Sequence, residues 1–217
     1  MIKVDVRRKA FGPSEILRDI RFEMGDSEAV AILGASGIGK STLLRLIAGI
    51  DEAFEGEIAR PPNIAMVFQE PVLLPWRSVL QNLMLVHPTL GKDAAHAALE
   101  RIGIADKAGL FPGQLSLGQQ RRLALARAFA GRPALLVMDE PYVSLDPQTA
   151  EEMLELTEAL IAETGPAVIL VTHSEAEARR LAKRTLRLTG RPATITEEAG
   201  RKSPRSKVRG PRSAFIL

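Results

Sequence analysis

Short apolar runs alternate with stretches of helical periodicity along most of this chain. Residues 28–33 (EAVAIL) are apolar and β-prone and stop at a glycine, which predicts a buried strand. Residues 41–48 (STLLRLIA) then read as a helix that Gly49 is placed to end. IAMVF at 64–68, ALLVM at 134–138 and AVILV at 167–171 predict three more buried strands. Between them, residues 93–102 place Ala95, Leu99 and Ile102 on one helical face, and Ser116 to Ala130 reads as a basic helix. Asp146-Pro147 is a helix cap followed by proline at the first helical position. Ala150, Met153, Leu154, Leu160 and Ile161 form the apolar stripe of that helix, and Ser174 with Glu177 predicts a capping box for the next. Strands alternating with helices predict an α/β domain, a mainly parallel sheet covered by helices. No internal repeat is visible.

At 217 residues the chain suits one domain, or one domain with a sub-lobe, and can bury a full core. It has no cysteine, which excludes disulfides, thiol catalysis and cysteine-ligated metals. The apolar runs are too short to span a bilayer and the N-terminus lacks a signal-peptide core, so a cytoplasmic location is expected. Aromatic residues are only 4%, which disfavours a stacking platform for single-stranded nucleic acid. The net charge of +3 is uneven. Residues 201–217 hold six basic side chains and no acid, so 23 basic against 26 acidic residues remain in 1–200, a net −3. A compact basic face for nucleic acid is not implied. Composition shifts after about Gly190, which divides the chain into a domain over 1–190 and a basic, flexible tail over 191–217.

Two motifs carry chemistry. Gly34-Ala35-Ser36-Gly37-Ile38-Gly39-Lys40-Ser41 has the spacing of a phosphate-binding loop, with a strand before it and a helix after it. Glycines let backbone N–H groups curl around phosphate oxygens, and the helix N-terminus adds the positive end of its dipole. Lys40 then serves the β- and γ-phosphates and Ser41 a Mg²⁺ ion. Asp139-Glu140-Pro141 follows a buried strand at the sheet edge where ligands bind. Asp139 there is a candidate Mg²⁺ ligand and Glu140 a candidate for polarising water.

At Leu115-Ser116-Leu117-Gly118-Gln119, followed by QRRLALARA, the sequence resembles the signature of the ATP-binding cassette family, the ATPase subunits of ABC transporters. The resemblance covers nearly all of 1–190. Ser116 and Gln119 also form a capping box, so this stretch begins a helix. Leu117 stands where the family usually has glycine. The resemblance implies a P-loop NTPase fold with a small N-terminal antiparallel β part and a helical sub-lobe at roughly 70–130 that carries the signature. It implies ATP and Mg²⁺, with nucleotide contacts from the loop through Thr42 and, in a partner copy, from Ser116, Gly118 and Gln119. Gln69 matches the glutamine that senses Mg²⁺ and water, and Asp146 lies in the D-loop Ser144-Leu145-Asp146. His173 matches the histidine that contacts the γ-phosphate. Phe11 aligns with the aromatic that stacks on adenine, although it equally suits a core position.

Residues 68–82, FQEPVLLPWRSVLQN, resemble the nitrate, sulfonate and taurine importer branch. There the segment near Leu73–Asn82 lines the groove that receives a transmembrane permease subunit. Trp76, the single tryptophan, reads either as a docking residue or as core of the sub-lobe. The short span from Gly56 to Gln69 and the early C-terminus imply a trimmed hairpin and no regulatory C-terminal domain. The implied protein is a homodimer or paired cassette, closing head to tail on ATP at the inner face of the cell membrane. A substrate-binding protein is an indirect partner and nucleic acid is not one. The alternatives are an exporter or lipid-extraction ATPase, and a soluble cassette acting on ribosomes or DNA.

Overall fold

The computed structural model describes residues 1–198. The chain opens with strands β1 (Ile2–Phe11) and β2 (Ser14–Met24), then β3 (Ala29–Leu33), helix α1 (Lys40–Ala48), β4 (Glu55–Ala59) and β5 (Ile64–Val67). Three helices follow, α2 (Val79–Leu85), α3 (Lys92–Arg101) and α4 (Leu117–Ala130). The rest is β6 (Leu135–Asp139), α5 (Pro147–Thr164), β7 (Ala167–Thr172), α6 (Glu175–Leu181), β8 (Arg184–Thr189) and β9 (Thr194–Glu198).

Six strands form the main sheet in the order β5-β6-β7-β3-β8-β9. The first five are parallel, and β6 and β7 are buried along their whole length, which explains their unbroken apolar sequences. β9 closes one edge antiparallel to β8. The boundary expected at 190 is therefore corrected, since the sheet takes up residues to 198. The basic stretch 201–217 lies outside the described residues.

β2, β1 and β4 make a separate antiparallel sheet. Ile2, Val4 and Val6 turn inward, while Lys3 and Asp5 face Glu23 and Arg21 across the pair. Register shifts near Arg8 and Lys9 change the alternation, so that Lys9 becomes buried.

Among the described residues, three large apolar clusters hold the layers together, and a small fourth packs Ala178 of α6 on Ala31 and Leu33 of β3. On one face of the main sheet, Leu43, Leu44 and Ile47 of α1 pack with Ile32 and Val137 and with the inner face of the antiparallel sheet. On the other, Leu125 and Phe129 of α4 and Met153 and Leu160 of α5 cover Met138 and Leu170. The helical sub-lobe has its own core of Val79, Leu83, Ala95, Leu99, Ile102 and Leu123. Each such fully buried leucine contributes about 1.5–3 kcal/mol relative to exposure.

The caps at Ser116, with Gln119, and at Asp146 form as expected. The box expected at Ser174 is only half made. Ser174 accepts from the Glu177 N–H, but the Glu177 carboxylate turns to Thr172 Oγ1, which donates to it. A hydroxyl already fixed at the strand end outcompetes the local reciprocal bond.

Candidate functional site

The loop 34–39 leaves the end of β3 and enters α1. Gly37 and Gly39 have φ of 73° and 112°, a region that side chains avoid. A Cβ on Gly39 would lie 2.9 Å from Leu17 Cδ2 and 3.0 Å from Ile16 Cγ2, so the loop backbone rests directly on β2. Gly39 caps α1 and supplies no side-chain acceptor, which leaves the first amides of the helix for an anion. Gly39→Ala is expected to cost about 1–3 kcal/mol of stability through strain and to weaken ATP binding as the loop shifts. Denaturant unfolding and equilibrium ATP binding measure the two effects, and wild-type values in both would contradict this account of the loop.

Lys40 is buried, and its Nζ donates to the carbonyls of Gly34 and Ala35 at 2.9 and 3.0 Å. The same Nζ lies 3.2 Å from Glu140 Oε1, while Glu140 Oε2 lies 3.4 Å from His173 Nδ1. Lys40, Glu140 and His173 thus converge from three elements on one point. His173 is largely exposed, at 62% of its side chain, and so is accessible to a ligand. Glu140 sits at φ 44° just beyond β6, and its N–H donates to Val171 O of β7 at 2.9 Å. This strained turn is held from α4, where the buried Arg121 donates to the carbonyls of Pro141 and Val143. Asp139 ends β6 in a buried position beside Ser41. Burial pushes its carboxyl above the usual range, and the Ser41 hydrogen bond opposes this.

Gln69 follows β5, whose Val67 is paired with Met138 of β6, so it leaves the same sheet edge as Asp139 and Glu140. Its side chain is exposed. Phe11, at the end of β1, is 54% exposed and not a core residue.

The signature lies elsewhere. Ser116 caps α4, accepting from the Gln119 N–H at 3.3 Å, and Gln119 Oε1 accepts from the Ser116 N–H at 3.0 Å. With Gly118 it borders a hollow formed with Ser144, Asp146 and Thr149. A Cβ on Gly118 would meet Thr149 Cγ2 at 2.9 Å. Asp146 caps α5 by accepting from the Thr149 N–H, and hydrogen bonding from the Thr149 side chain, reinforced by that N–H, holds its carboxyl below the usual range. Among the described residues no hydrogen bond or ion pair joins 116–119 to the loop 34–42. The phosphate loop and the signature are thus two separate regions of the described chain.

Comparison with known proteins decides what these two regions belong to. The description "ABC transporter" matches residues 17–143. An aliphatic sulfonates import ATP-binding protein SsuB from Mycobacterium sp. (strain MCS) is 41% identical, over 92% of this chain and 84% of its own length. A second protein of that name, SsuB 2 from Frankia alni, is 46% identical over 82% of this chain and 73% of its own.

The chain belongs to the ABC transporter family.

Among solved structures, the dimeric structure of MJ0796, a bacterial ABC transporter cassette, has a TM-score of 0.81 at 30% identity, covering 94% of this chain and all of that one. Its dimeric post-hydrolysis state bound to ADP and Pi gives 0.80 at 29% identity, over the same shares of the two chains. This ABC protein is an ATP-binding, ATP-hydrolysing subunit of an importer, with the P-loop NTPase fold. No helix among its described residues is long and apolar enough to cross a membrane.

The cassette also shows what holds its LLPW turn. Asn82 is buried, not a groove surface. Its Nδ2 donates to the carbonyls of Leu74, Arg77 and Ser78 at 2.9–3.1 Å, and its Oδ1 accepts from the Leu74 N–H at 2.8 Å. Arg127 of α4 donates to Val72 O at 2.6 Å. The turn is thereby fixed with Trp76 outward, 68% exposed, which removes its reading as core. Exposed Val72, Leu85 and Val86 line a hollow of about 600 Å³ between β5, α2 and α4. Sequence reasoning missed Arg121, the buried anchoring role of Asn82 and the α2 capping box of Ser78 and Gln81; the S-x-x-Q spacing of the last was the one local signal among them.

Proposed function

We propose that two copies of this chain close head to tail, each ATP lying between the phosphate loop of one copy and Ser116, Gly118 and Gln119 of the other. The observation that carries this reading is the separation of Lys40, Glu140 and His173 from the signature within a single chain. The glycine cradle, with Ala35, Ser36, Ile38 and Thr42 around it, takes the phosphates. Lys40 exchanges Glu140 for the γ-phosphate. Glu140, released, accepts a proton from the attacking water, and His173 holds the γ-phosphate oxygens as charge builds. Phe11 stacks on the base and Asp146 lies along the closed dimer seam.

The residues present also fit Mg²⁺. Asp139 is a buried carboxylate whose charge is costly without a cation, and Ser41 offers a hydroxyl beside it. Among the described residues there is no cluster of three or more His, Asp or Glu able to hold a metal alone, so Ser41, Asp139 and Gln69 would share it with the phosphates. Bound there, the ion supplies charge neutralisation on the phosphate oxygens.

The transported class is an aliphatic sulfonate. Proteins of that name at 41% and 46% identity support this reading. A transmembrane permease docks on the exposed turn at Val72–Trp76 and on α2, which places the cassette at the cytoplasmic face of the membrane, with a substrate-binding protein as an indirect partner. With the permease reconstituted in liposomes, ATP-dependent uptake of an alkanesulfonate is expected. Trp76→Ala should lose permease capture while keeping the rate of the isolated cassette. Uptake of a different solute class alone, or unaltered capture by the variant, would contradict the reading.

A further inference from the structure

Phe11 is half exposed, but one of its ring faces is covered. Lys9, two residues earlier on β1, is only 2% exposed, and its Nζ lies 4.6 Å from the ring centroid. The register shift in β1 turns Lys9 inward beside Phe11. A buried ammonium needs partners, and Lys9 has them: Nζ donates to Asp51 Oδ1 at 2.8 Å and to Ala53 O at 2.7 Å. The Lys9 hydrogen bond holds the Asp51 carboxyl below its usual range. Both partners lie in the segment between α1 and β4, so the cation is anchored to the far end of the helix that the phosphate loop starts.

The end of this hairpin also touches the loop. Lys9 is paired across the sheet with Leu17, and Leu17 is the side chain that a Cβ on Gly39 would strike. The Phe11 ring therefore stands at the end of the hairpin whose second strand rests on the phosphate loop, against a fixed cation and still half exposed.

We infer that Lys9 is a positioning residue for base recognition: its anchored ammonium holds the Phe11 ring, presenting the open face to the nucleobase. The cation attracts the ring's π-electrons toward the covered face, which favours an electron-rich purine on the other. The inference rests on the reading of Phe11 as the stacking ring. It predicts that Lys9 affects the contribution of the base to affinity and leaves that of the phosphates alone.

The test compares equilibrium binding of ATP with that of tripolyphosphate, which has no base. Lys9→Met with Asp51→Asn removes both charges together, so no buried ion is orphaned, and the wild type is the control. The Lys9→Met/Asp51→Asn protein is expected to bind ATP about two- to fivefold more weakly than the control, the lower end of the range for a cation–π contact. Its affinity for tripolyphosphate should equal that of the wild type. Phe11→Ala should weaken ATP binding by more, and adding the Lys9 and Asp51 changes to it should weaken it no further. Wild-type ATP affinity without Lys9, an additive loss in the combined variant, or an equal loss for tripolyphosphate would each overturn the inference. Wild-type ATP affinity in Phe11→Ala would instead overturn the stacking role of Phe11 and the inference with it.

Discussion

Glu140→Gln is expected to lower steady-state ATP hydrolysis by about 10²–10⁴-fold, the usual contribution of a positioned general base. ATP binding should survive and the ATP-bound dimer should accumulate. The amide keeps the size of the carboxylate but cannot take a proton from water. Glu140 also lies 3.2 Å from Lys40 and 3.4 Å from His173. The γ-phosphate must displace that carboxylate, so removing its charge favours the bound state as well as slowing its decay. Phosphate release, retention of labelled ATP and the mass of the complex in solution measure the three consequences. Turnover within tenfold of the wild type, or loss of ATP binding, would refute the role given to Glu140.

The second large effect is recovery of activity by mixing two inactive proteins. Lys40→Ala removes the cation of the cradle, and Ser116→Arg fills the signature with a bulky cation. Each variant alone damages both composite sites of its homodimer. A mixed dimer has one site in which Lys40 from one copy faces Ser116 from the other, both intact. Random pairing at equal concentrations makes half the dimers mixed, each with one of two sites whole, so recovery of up to roughly a quarter of the wild-type rate is expected where one site suffices. Loss of the Ser116 cap costs about 1 kcal/mol, so the arginine variant should remain folded, which its thermal unfolding curve verifies. The wild-type rate per subunit should also fall on dilution. A rate per subunit independent of concentration, with no recovery on mixing, would mean that a single chain holds a complete site.

The sequence by itself determined the elements whose causes are local. The apolar runs before Gly34 and through Asp139, the glycine spacing of the phosphate loop, and the caps at Ser116 and Asp146 depend on neighbours a few residues away, and each stands where periodicity and capping rules place it. The motif residues that gather at the sheet edge were legible for the same reason: each ends or follows a strand that its own composition defines. Other features depended on distant partners. The antiparallel sheet was implied only by family resemblance, because its pairing of β1 with β4 joins residues about fifty positions apart. β9 was assigned to the tail because a short polar strand is recognisable only beside β8. Burial of Lys9 depends on Asp51 and Ala53, the turn after Glu140 depends on Arg121, and the outward pose of Trp76 depends on Asn82 and Arg127. Charged and amide side chains read in isolation belong to the surface, since burying them without partners is costly. Only the tertiary structure brings up the carbonyls and carboxylates that satisfy them, and so only it decides which polar residues are interior and what they hold in place.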